Sequence, residues 1–345
     1  MPNNKIGAGR VAPSLTLSQR RGKEIKGENK NMKKIAFLFP GQGSQAVGMG
    51  KDLYESSSAA KEVFEIANTT LGKSISDLCF EGPEENLKQT VNTQPCIVTM
   101  SIAAMEALRE KCNITPDYVA GHSLGEYCAM FSAGVMSLEN TLRAIQKRAD
   151  LMSETKGGAM AAVLNASEEV LKAGLEEGNK VGYVDVANYN SPAQVVITGA
   201  EDAVKATSDY LLANGVRRVV PLAVSGAFHS KFMENAGASF AEFISDVELN
   251  NASIPVITNV DAEATTSAED FRAKMPKQIY SSVYWTQTIE KMVSEGVDTF
   301  IEIGPGKVLA GLNKKIAPDA TVYNVFDVAS LEATVEALNV ELTNV

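Results

Sequence analysis

Residues 34–39 form a short, almost uninterrupted apolar run that ends at Pro40 and Gly41. A run of this length, bounded by turn residues, is typical of a strand buried on both faces of a parallel sheet. A second such run at 118–121 is followed by helical periodicity at 124–133 and 138–153. Strands that alternate with helices at this spacing predict an α/β fold with a mostly parallel sheet.

Further elements are predicted on either side of these. Helical patterns cover residues 51–71, 84–89 and 95–111, and in the last of these Thr93 suits an N-cap and Pro95 a first helical turn. Towards the C-terminus we predict helices at 230–247 and 268–294, and strands at 254–258 and 299–303.

The pattern changes after Gly157 and Gly158. Between residues 155 and 224 four short strands are predicted at 159–164, 183–189, 194–198 and 217–220, and two helices at 168–177 and 201–214. Two helices among four short strands indicate a small α+β unit inserted into the larger domain.

Composition excludes several classes of function. Hydrophobic residues make up 45% and charged residues 21% of the 345, and no apolar stretch is long enough for a membrane span. The four cysteines lie 16 or 17 residues apart without a Cys-x-x-Cys pair, and there are two histidines. We therefore expect free thiols, no metal site and no membrane contact, in a cytoplasmic protein.

The net charge of −10 is unevenly distributed. Residues 1–34 contain nine Lys or Arg and two Asp or Glu, so the remainder is strongly acidic and is not expected to bind nucleic acid. The basic leader lacks the apolar stretch of a secretory signal. We expect residues 1–31 to be an extension, either disordered or the result of a misassigned start.

The segment Gly121-His-Ser-Leu-Gly125 lies between a predicted strand and a predicted helix. Its glycines allow a tight turn that exposes the Ser123 hydroxyl beside a helix N-terminus, where an oxyanion is stabilised. A serine needs a base, and His229 is the better candidate because His122, adjacent in sequence, is expected to point elsewhere. An ordinary glycine-serine turn with a structural histidine is the alternative.

Two further segments are candidates for the same site. Residues 40–45, Pro-Gly-Gln-Gly-Ser-Gln, follow the first strand, where ligands gather in an open parallel sheet. This loop can supply an oxyanion donor, although a simple turn remains open; the Lys of a phosphate-binding loop is absent. Arg148, on the helix after the turn, is either a solvated charge or the partner of a substrate carboxylate.

Six motifs occur in one order: Phe39-Pro-Gly-Gln-Gly-Ser-Gln45, Gly121-His-Ser-Leu-Gly-Glu-Tyr127, Arg148, Asn188-Tyr-Asn-Ser-Pro192, Ala227-Phe-His229 and Gly304-Pro-Gly-Lys-Val-Leu309. Together they closely resemble the bacterial malonyl-CoA:acyl carrier protein transacylases of type II fatty acid synthesis, from about residue 32 to about residue 317. The resemblance implies an α/β-hydrolase-like large subdomain (32–154 and 225–317) and a ferredoxin-like small subdomain (155–224). Residues 318–345 are left as a C-terminal segment.

Motif position also implies roles. Ser123 would hold the malonyl ester with His229 as general base and acid, the backbone N–H groups of Gln42 and Leu124 would form the oxyanion hole, and Arg148 would bind the malonyl carboxylate. In this family a backbone carbonyl orients the histidine, a role that we assign to Gln278. Ser282 stands where many members have Pro, which we do not expect to alter the chemistry.

The implied reaction transfers malonyl from malonyl-CoA to the phosphopantetheine thiol of an acyl carrier protein, by a ping-pong mechanism through a malonyl-serine ester, and supplies fatty acid elongation. No metal or cofactor is implied besides malonyl-CoA and CoA as substrate and product, and we expect a monomer. Phe228 accompanies malonyl rather than methylmalonyl specificity in the related domains of polyketide synthases.

Alternative functions share parts of this pattern. A serine thioesterase has the same turn and Ser–His pair, but Arg148 and the lack of an evident acidic third member favour transfer. A non-catalytic carrier-binding module would not need both Ser123 and His229. Transacylases of polyketide or polyunsaturated lipid assembly would have the same motifs. Because carrier proteins are acidic, docking needs a local basic patch, whose candidates are Lys307, Lys314, Lys315, Arg217 and Arg218.

Overall fold

The computed structural model describes residues 33–224 and 226–343; the predicted extension at 1–31 lies outside them. The strands of this part of the chain are β1 (Lys34–Phe39), β2 (Tyr118–Gly121), β3 (Ala159–Leu164), β4 (Val184–Ser191), β5 (Gln194–Gly199), β6 (Arg218–Pro221), β7 (Val256–Ile257), β8 (Ala264–Thr265), β9 (Val297–Ile303) and β10 (Thr321–Val325).

The helices are α1 (Lys51–Ser56), α2 (Ser58–Leu71), α3 (Ile75–Glu81), α4 (Glu84–Leu87), α5 (Thr90–Lys111), α6 (Gly125–Ser132), α7 (Leu138–Glu154), α8 (Glu168–Gly178), α9 (Glu201–Ala213), α10 (Glu234–Ser245), α11 (Ala268–Gln278), α12 (Trp285–Ser294), α13 (Val308–Ile316) and α14 (Val328–Thr343). Among the described residues, none of these helices has the length and apolar character needed to cross a bilayer.

The larger sheet has six strands in the order β10-β9-β1-β2-β7-β8. The neighbours from β10 to β7 pair in parallel, and only the two-residue strand β8 pairs antiparallel. Along β1, Phe37 and Phe39 belong to a different buried cluster from Ala36 and Leu38. Successive residues therefore face opposite cores, which explains the continuous apolar run and confirms the predicted α/β fold with its mostly parallel sheet.

The smaller sheet is antiparallel, with the order β4-β5-β3-β6. With α8 and α9 it has the connectivity β-α-β-β-α-β of ferredoxin-like units, as predicted. The chain enters and leaves this unit side by side, because Gly157 and Gly226 form an isolated parallel bridge. We propose residues 155–224 as the bounds of this small subdomain.

The central helix α5 begins earlier than predicted. It starts at Thr90, so Thr93 is not its N-cap, and the Thr93 hydroxyl instead donates to the backbone oxygen of Leu87. Pro95 lies inside the helix and cannot donate to the carbonyl of Val91; that carbonyl accepts from the side chain of Gln146 at 3.2 Å. A tertiary contact thus satisfies the carbonyl that the proline would leave unpaired.

Other boundaries also differ from the prediction. Ser57 interrupts the helix expected at 51–71 and caps α2 through the N–H of Ala60. The helix expected at 268–294 is divided by the segment 279–284, in which Val283 bridges to Asn188 of β4. The large subdomain was predicted to end at residue 317, which would leave out β10. This strand belongs to the larger sheet, because it pairs with β9 along its whole length. The half-buried, polar-containing β10 lacks the apolar run that marked the central strands.

Candidate active site

Ser123 lies in the turn between β2 and α6, with a backbone φ of 51°. The turn closes against the carboxyl end of β1, and its two glycines have no room for side chains. A Cβ at Gly121 would lie 1.9 Å from the backbone carbon of Gly125, and a Cβ at Gly125 would lie 2.2 Å from the backbone oxygen of Phe39. The sequence therefore needs both glycines to place the serine at the end of the sheet.

His229 lies beside this serine, and its backbone also has a positive φ, of 55°. Its Nε2 is 2.8 Å from Ser123 Oγ, and its Nδ1 lies 3.0 Å from the backbone oxygen of Gln278 and 3.1 Å from that of Ser281. Two carbonyl acceptors at Nδ1 require a proton there, so Nε2 is free to accept the serine proton. Burial, then Arg148 and His122, lower the pKa of His229 to about 3, and the imidazole is neutral at neutral pH.

Arg148 reaches the same serine from α7. Its side chain is 1% exposed, and its Nη2 donates to Ser123 Oγ at 3.0 Å. It also donates to the side-chain oxygens of Gln94 at 2.6 Å and of Gln278 at 3.0 Å, and its guanidinium lies 5.8 Å from the ring centre of Tyr127. Within residues 33–224 and 226–343 no ion pair with a carboxylate involves Arg148. A buried cation whose hydrogen bonds all go to neutral oxygens favours an anion placed next to Ser123.

Gln278 contacts all three of these residues. Its backbone oxygen accepts from His229, its side-chain oxygen accepts from Arg148, and its Nε2 donates to the backbone oxygen of Ser123 at 2.7 Å. The family resemblance implied only the first of these contacts, and a side chain that bonds across the site leaves no local pattern in the sequence. Gln278 therefore fixes the relative positions of serine, histidine and arginine.

The predicted oxyanion donors border the same cavity of about 100 Å³, with Gln42 and Leu124 lining it beside Ser123, Arg148, Phe228 and His229. This volume suits a small acyl group rather than a drug-sized ligand. Leu124 begins the turn into α6, so its N–H belongs to the free N-terminus of that helix. The N–H of Ser123 is already bonded to Asn259 Oδ1 at 2.8 Å.

Several polar residues of the site were not assigned roles from the sequence. Gln94 bonds Arg148, Asn190 Oδ1 lies 2.8 Å from Nε2 of His122, and Asn259 bonds Ser123. Asn190 lies within one of the six motifs, which was its only signal. Gln94 and Asn259 stand in an apolar helix and after a two-residue strand, where single polar residues have no periodic signature.

The basic residues predicted for docking lie on the surface, and the cysteine next to the active-site turn is buried. Lys307, Lys314 and Lys315 are exposed on or next to α13, and Arg217 and Arg218 are exposed at β6. Cys128 is buried in α6, where burial raises the pKa of its thiol. No cluster of three or more His, Cys, Asp or Glu residues suited to a metal ion occurs in the part of the chain that the structure describes.

Comparisons with known proteins cover nearly the whole described chain. Residues 36–327 match the family described as the acyl transferase domain. The malonyl CoA-acyl carrier protein transacylase of Bacillus subtilis is 44% identical over an alignment of 320 residues that covers 91% of this chain and 100% of that protein. The protein of the same name from Synechocystis is 42% identical over 85% of this chain and 97% of its own length.

Solved structures similar to this chain include further malonyl-transferring enzymes. An acyl carrier protein S-malonyltransferase from Vibrio cholerae is 38% identical with a TM-score of 0.85, over 88% of this chain and 100% of that chain. The malonyl-transacylase in a complex named PlMCAT:AntF, with a type II polyketide synthase acyl-carrier protein, is 37% identical with a TM-score of 0.86, over 88% of this chain and 100% of that chain.

Proposed function

Because the chain belongs to the acyl transferase domain family, together with the malonyl CoA-acyl carrier protein transacylases, we propose that it transfers malonyl from malonyl-CoA to an acyl carrier protein. The observation that carries this proposal is the buried Arg148, which contacts Ser123 and forms no ion pair with a carboxylate among the described residues. A malonyl group supplies a carboxylate at the required place, at the far end of the acyl group from the thioester.

In the first half-reaction His229 Nε2 accepts the proton of Ser123 as Oγ bonds to the thioester carbon. The N–H groups of Gln42 and Leu124 bind the oxyanion, and Arg148 binds the malonyl carboxylate. The carbon–sulfur bond then breaks, the imidazolium proton passes to the CoA sulfur, and CoA leaves. Ser123 now holds the malonyl ester, and His229 is neutral again.

The second half-reaction reverses these steps with a different thiol. His229 accepts the proton of the phosphopantetheine thiol as its sulfur attacks the ester carbon, and the Ser123–carbon bond breaks as the proton returns to Oγ. Histidine and arginine supply the proton transfers and the charge, so we propose that no metal or cofactor takes part besides CoA substrate and product. We further propose that the enzyme acts as a monomer in the cytoplasm and supplies fatty acid elongation.

Specificity for malonyl over acetyl follows from Arg148. An acetyl group leaves the buried guanidinium without an anion, and an unpaired buried charge costs about 3–5 kcal/mol. We therefore expect acetyl-CoA to acylate Ser123 roughly 10²- to 10⁴-fold more slowly than malonyl-CoA. Phe228 borders the same cavity and restricts branching next to the thioester, which supports malonyl over methylmalonyl.

The test is intact-mass spectrometry of the protein mixed with malonyl-CoA alone, with acetyl-CoA alone, and with malonyl-CoA followed by phosphopantetheinylated carrier protein. We expect one malonyl unit on the wild type and none on Ser123→Ala, and we expect the unit to move to the carrier. Steady release of CoA without an adduct would instead indicate a thioesterase. If the protein forms no adduct and releases no CoA, the proposal is overturned for this substrate.

A further inference from the structure

Asn259 follows strand β7 and is fully buried beneath the turn that carries the nucleophile. Its Oδ1 accepts a hydrogen bond from the N–H of Ser123 at 2.8 Å, and its Nδ2 donates to the backbone oxygen of Gly121 at 2.8 Å. One carboxamide thus bonds the main chain on both sides of His122. An amide is required for this arrangement, because one end must accept and the other must donate.

The turn needs such support because Ser123 has a left-handed backbone conformation. A residue with a Cβ at a φ of 51° carries about 1–3 kcal/mol of strain, and this conformation persists only where the surroundings hold it in place. Gln278 and the N–H of Glu126 bond the backbone oxygen of Ser123. Asn259 supplies the partner for its N–H.

Glu126 completes the arrangement from the first turn of α6. Its side chain is 1% exposed, and Oε2 accepts from the backbone N–H of Asn259 at 2.6 Å. The contacts form a closed ring, from Ser123 to Asn259, to Glu126, and back along α6 to the serine. The loop after Asn259 is held as well, because Asp261 bonds both Thr258 and Lys274.

We propose that Asn259 and Glu126 are positioning residues that hold the main chain of Ser123 in its reactive conformation. Asn259 occupies the N–H of Ser123, so the proposed oxyanion donor of this turn is the N–H of Leu124. Loss of this contact frees the turn to relax and moves Oγ away from His229 Nε2. This inference rests on the proposed transfer reaction, since its readout is the malonylation of Ser123.

The first experiment measures malonylation of Ser123 in a single turnover, by quenched flow and intact mass, for Asn259→Ala, Glu126→Ala and Glu126→Gln. We expect the rate constant to fall about 10²-fold in the two alanine variants, since displacements near 1 Å have effects of that size. The malonyl-CoA concentration for half-maximal rate should change less than about threefold, because Arg148 still binds the carboxylate. Glu126→Gln keeps an acceptor for the N–H of Asn259 and should recover most of the lost rate.

Asn324 and Glu302 form a matched control pair. Glu302 is also fully buried, and it accepts from Asn324 Nδ2 and from the N–H groups of Leu309 and Ala310 at the start of α13. Asn324→Ala and Glu302→Gln should lower the melting temperature and leave the malonylation rate near that of the wild type.

A second variant distinguishes positioning from general stability. Asn259→Asp keeps an acceptor for Ser123 but loses the donor to Gly121, except when the new carboxyl is protonated. Burial raises the pKa of that carboxyl, and so do Asp261 and, where it is ionised, Glu126, whose own pKa is raised by burial to about 7. Arg148 and Lys274 have the opposite effect. We expect its malonylation rate, divided by that of the wild type at each pH, to rise at least about tenfold from pH 8 to pH 5.5.

The inference would be overturned by alanine variants that malonylate as fast as the wild type. A slow Asn259→Asp variant whose relative rate does not change with pH would also overturn it, and would assign Asn259 to stability alone. Failure of the wild type to form the adduct would count against the proposed function instead, so the two failures are distinguishable.

Discussion

The basicity of His229 depends on what Arg148 binds. Burial and the nearby guanidinium lower the pKa of the imidazole to about 3 in the absence of substrate. A carboxylate bound to Arg148 neutralises that positive charge, and the pKa of His229 rises towards its ordinary value. In the proposed mechanism the imidazole therefore becomes a stronger base when a malonyl group is in place, so that binding of the carboxylate promotes proton transfer.

We predict that acylation of Ser123 by a neutral ester is insensitive to acid over a wide range. His229 must be neutral to accept the proton, and its pKa is lowered from 6.5, so the rate should stay constant from pH 8 to about pH 5 and fall only as the pH approaches about 3. In Arg148→Gln one cause of the lowering is removed, so the acid limb should move to higher pH. The measurement is the first-turnover rate with p-nitrophenyl acetate. A half-maximal rate near pH 6.5 in the wild type would contradict the prediction.

The sequence predicts that the principal site residues lie together, but it does not predict the side chains that hold them in position. Ser123 and His229 meet as predicted, because the strand–turn–helix context and the scarcity of histidines left few alternatives. Asn259 has no comparable signal, since its importance lies in a contact with a serine 136 residues away. The side chain of Gln278 was missed for the same reason, although its backbone role was expected.

At the scale of elements, the site depends on how closely α6 approaches β1. Gly125 is the first residue of α6, and a Cβ there would lie 2.2 Å from one backbone oxygen and 2.8 Å from the next, at Phe39 and Pro40. Backbone atoms cannot move aside as a flexible side chain can. The glycine thus sets the distance between Ser123 and the loop that carries Gln42.

We predict that Gly125→Ala abolishes malonylation. Because the steric conflict is severe, we also expect the free energy of unfolding to fall by about 3 kcal/mol or more. Gly311→Ala is the matched control, because Gly311 also lies in a helix but a Cβ there meets nothing within 4 Å. The control should gain about 0.5–1 kcal/mol from better helix propensity. Urea unfolding and adduct formation measure both effects, and a fully active Gly125→Ala variant of wild-type stability would contradict the argument.

Elements with strong apolar patterns were predicted well, and those defined by tertiary contacts were not. The start of α5 was misplaced because the helix is buried along most of its length and lacks a polar stripe to mark its first turn. Strand β10 was missed because it is a half-buried edge strand. In both cases the deciding interactions come from distant parts of the chain.

At the scale of the whole molecule, the negative net charge of the chain opposes the docking of an acidic carrier protein. The chain has a net charge of −10, which repels an acidic carrier protein at long range. Attraction therefore has to come from local groups. Lys314 and Lys315 lie exposed in the last turn of α13, and the positive charges there also interact favourably with the helix dipole.

We expect Lys314→Glu/Lys315→Glu to raise the KM for carrier protein about tenfold, with a weaker salt dependence, and to leave the KM for malonyl-CoA within about twofold. Lys61→Glu/Lys205→Glu makes the same change in net charge at exposed ion pairs and serves as the control. Steady-state transfer at several salt concentrations provides the measurement. Equal changes in both KM values, or equal effects of the two double variants, would place docking elsewhere.

The side-by-side entry and exit of the small subdomain at Gly157 and Gly226 has an evolutionary consequence. A unit whose two ends meet can be exchanged as a cassette without altering the spacing of the host strands. Met160, Asn188 and Leu222 lie within this unit and line the acyl cavity, whereas Ser123 and His229 belong to the host. Recombination at these two junctions therefore replaces part of the lining of the cavity and leaves Ser123, His229, Arg148 and Phe228 in place.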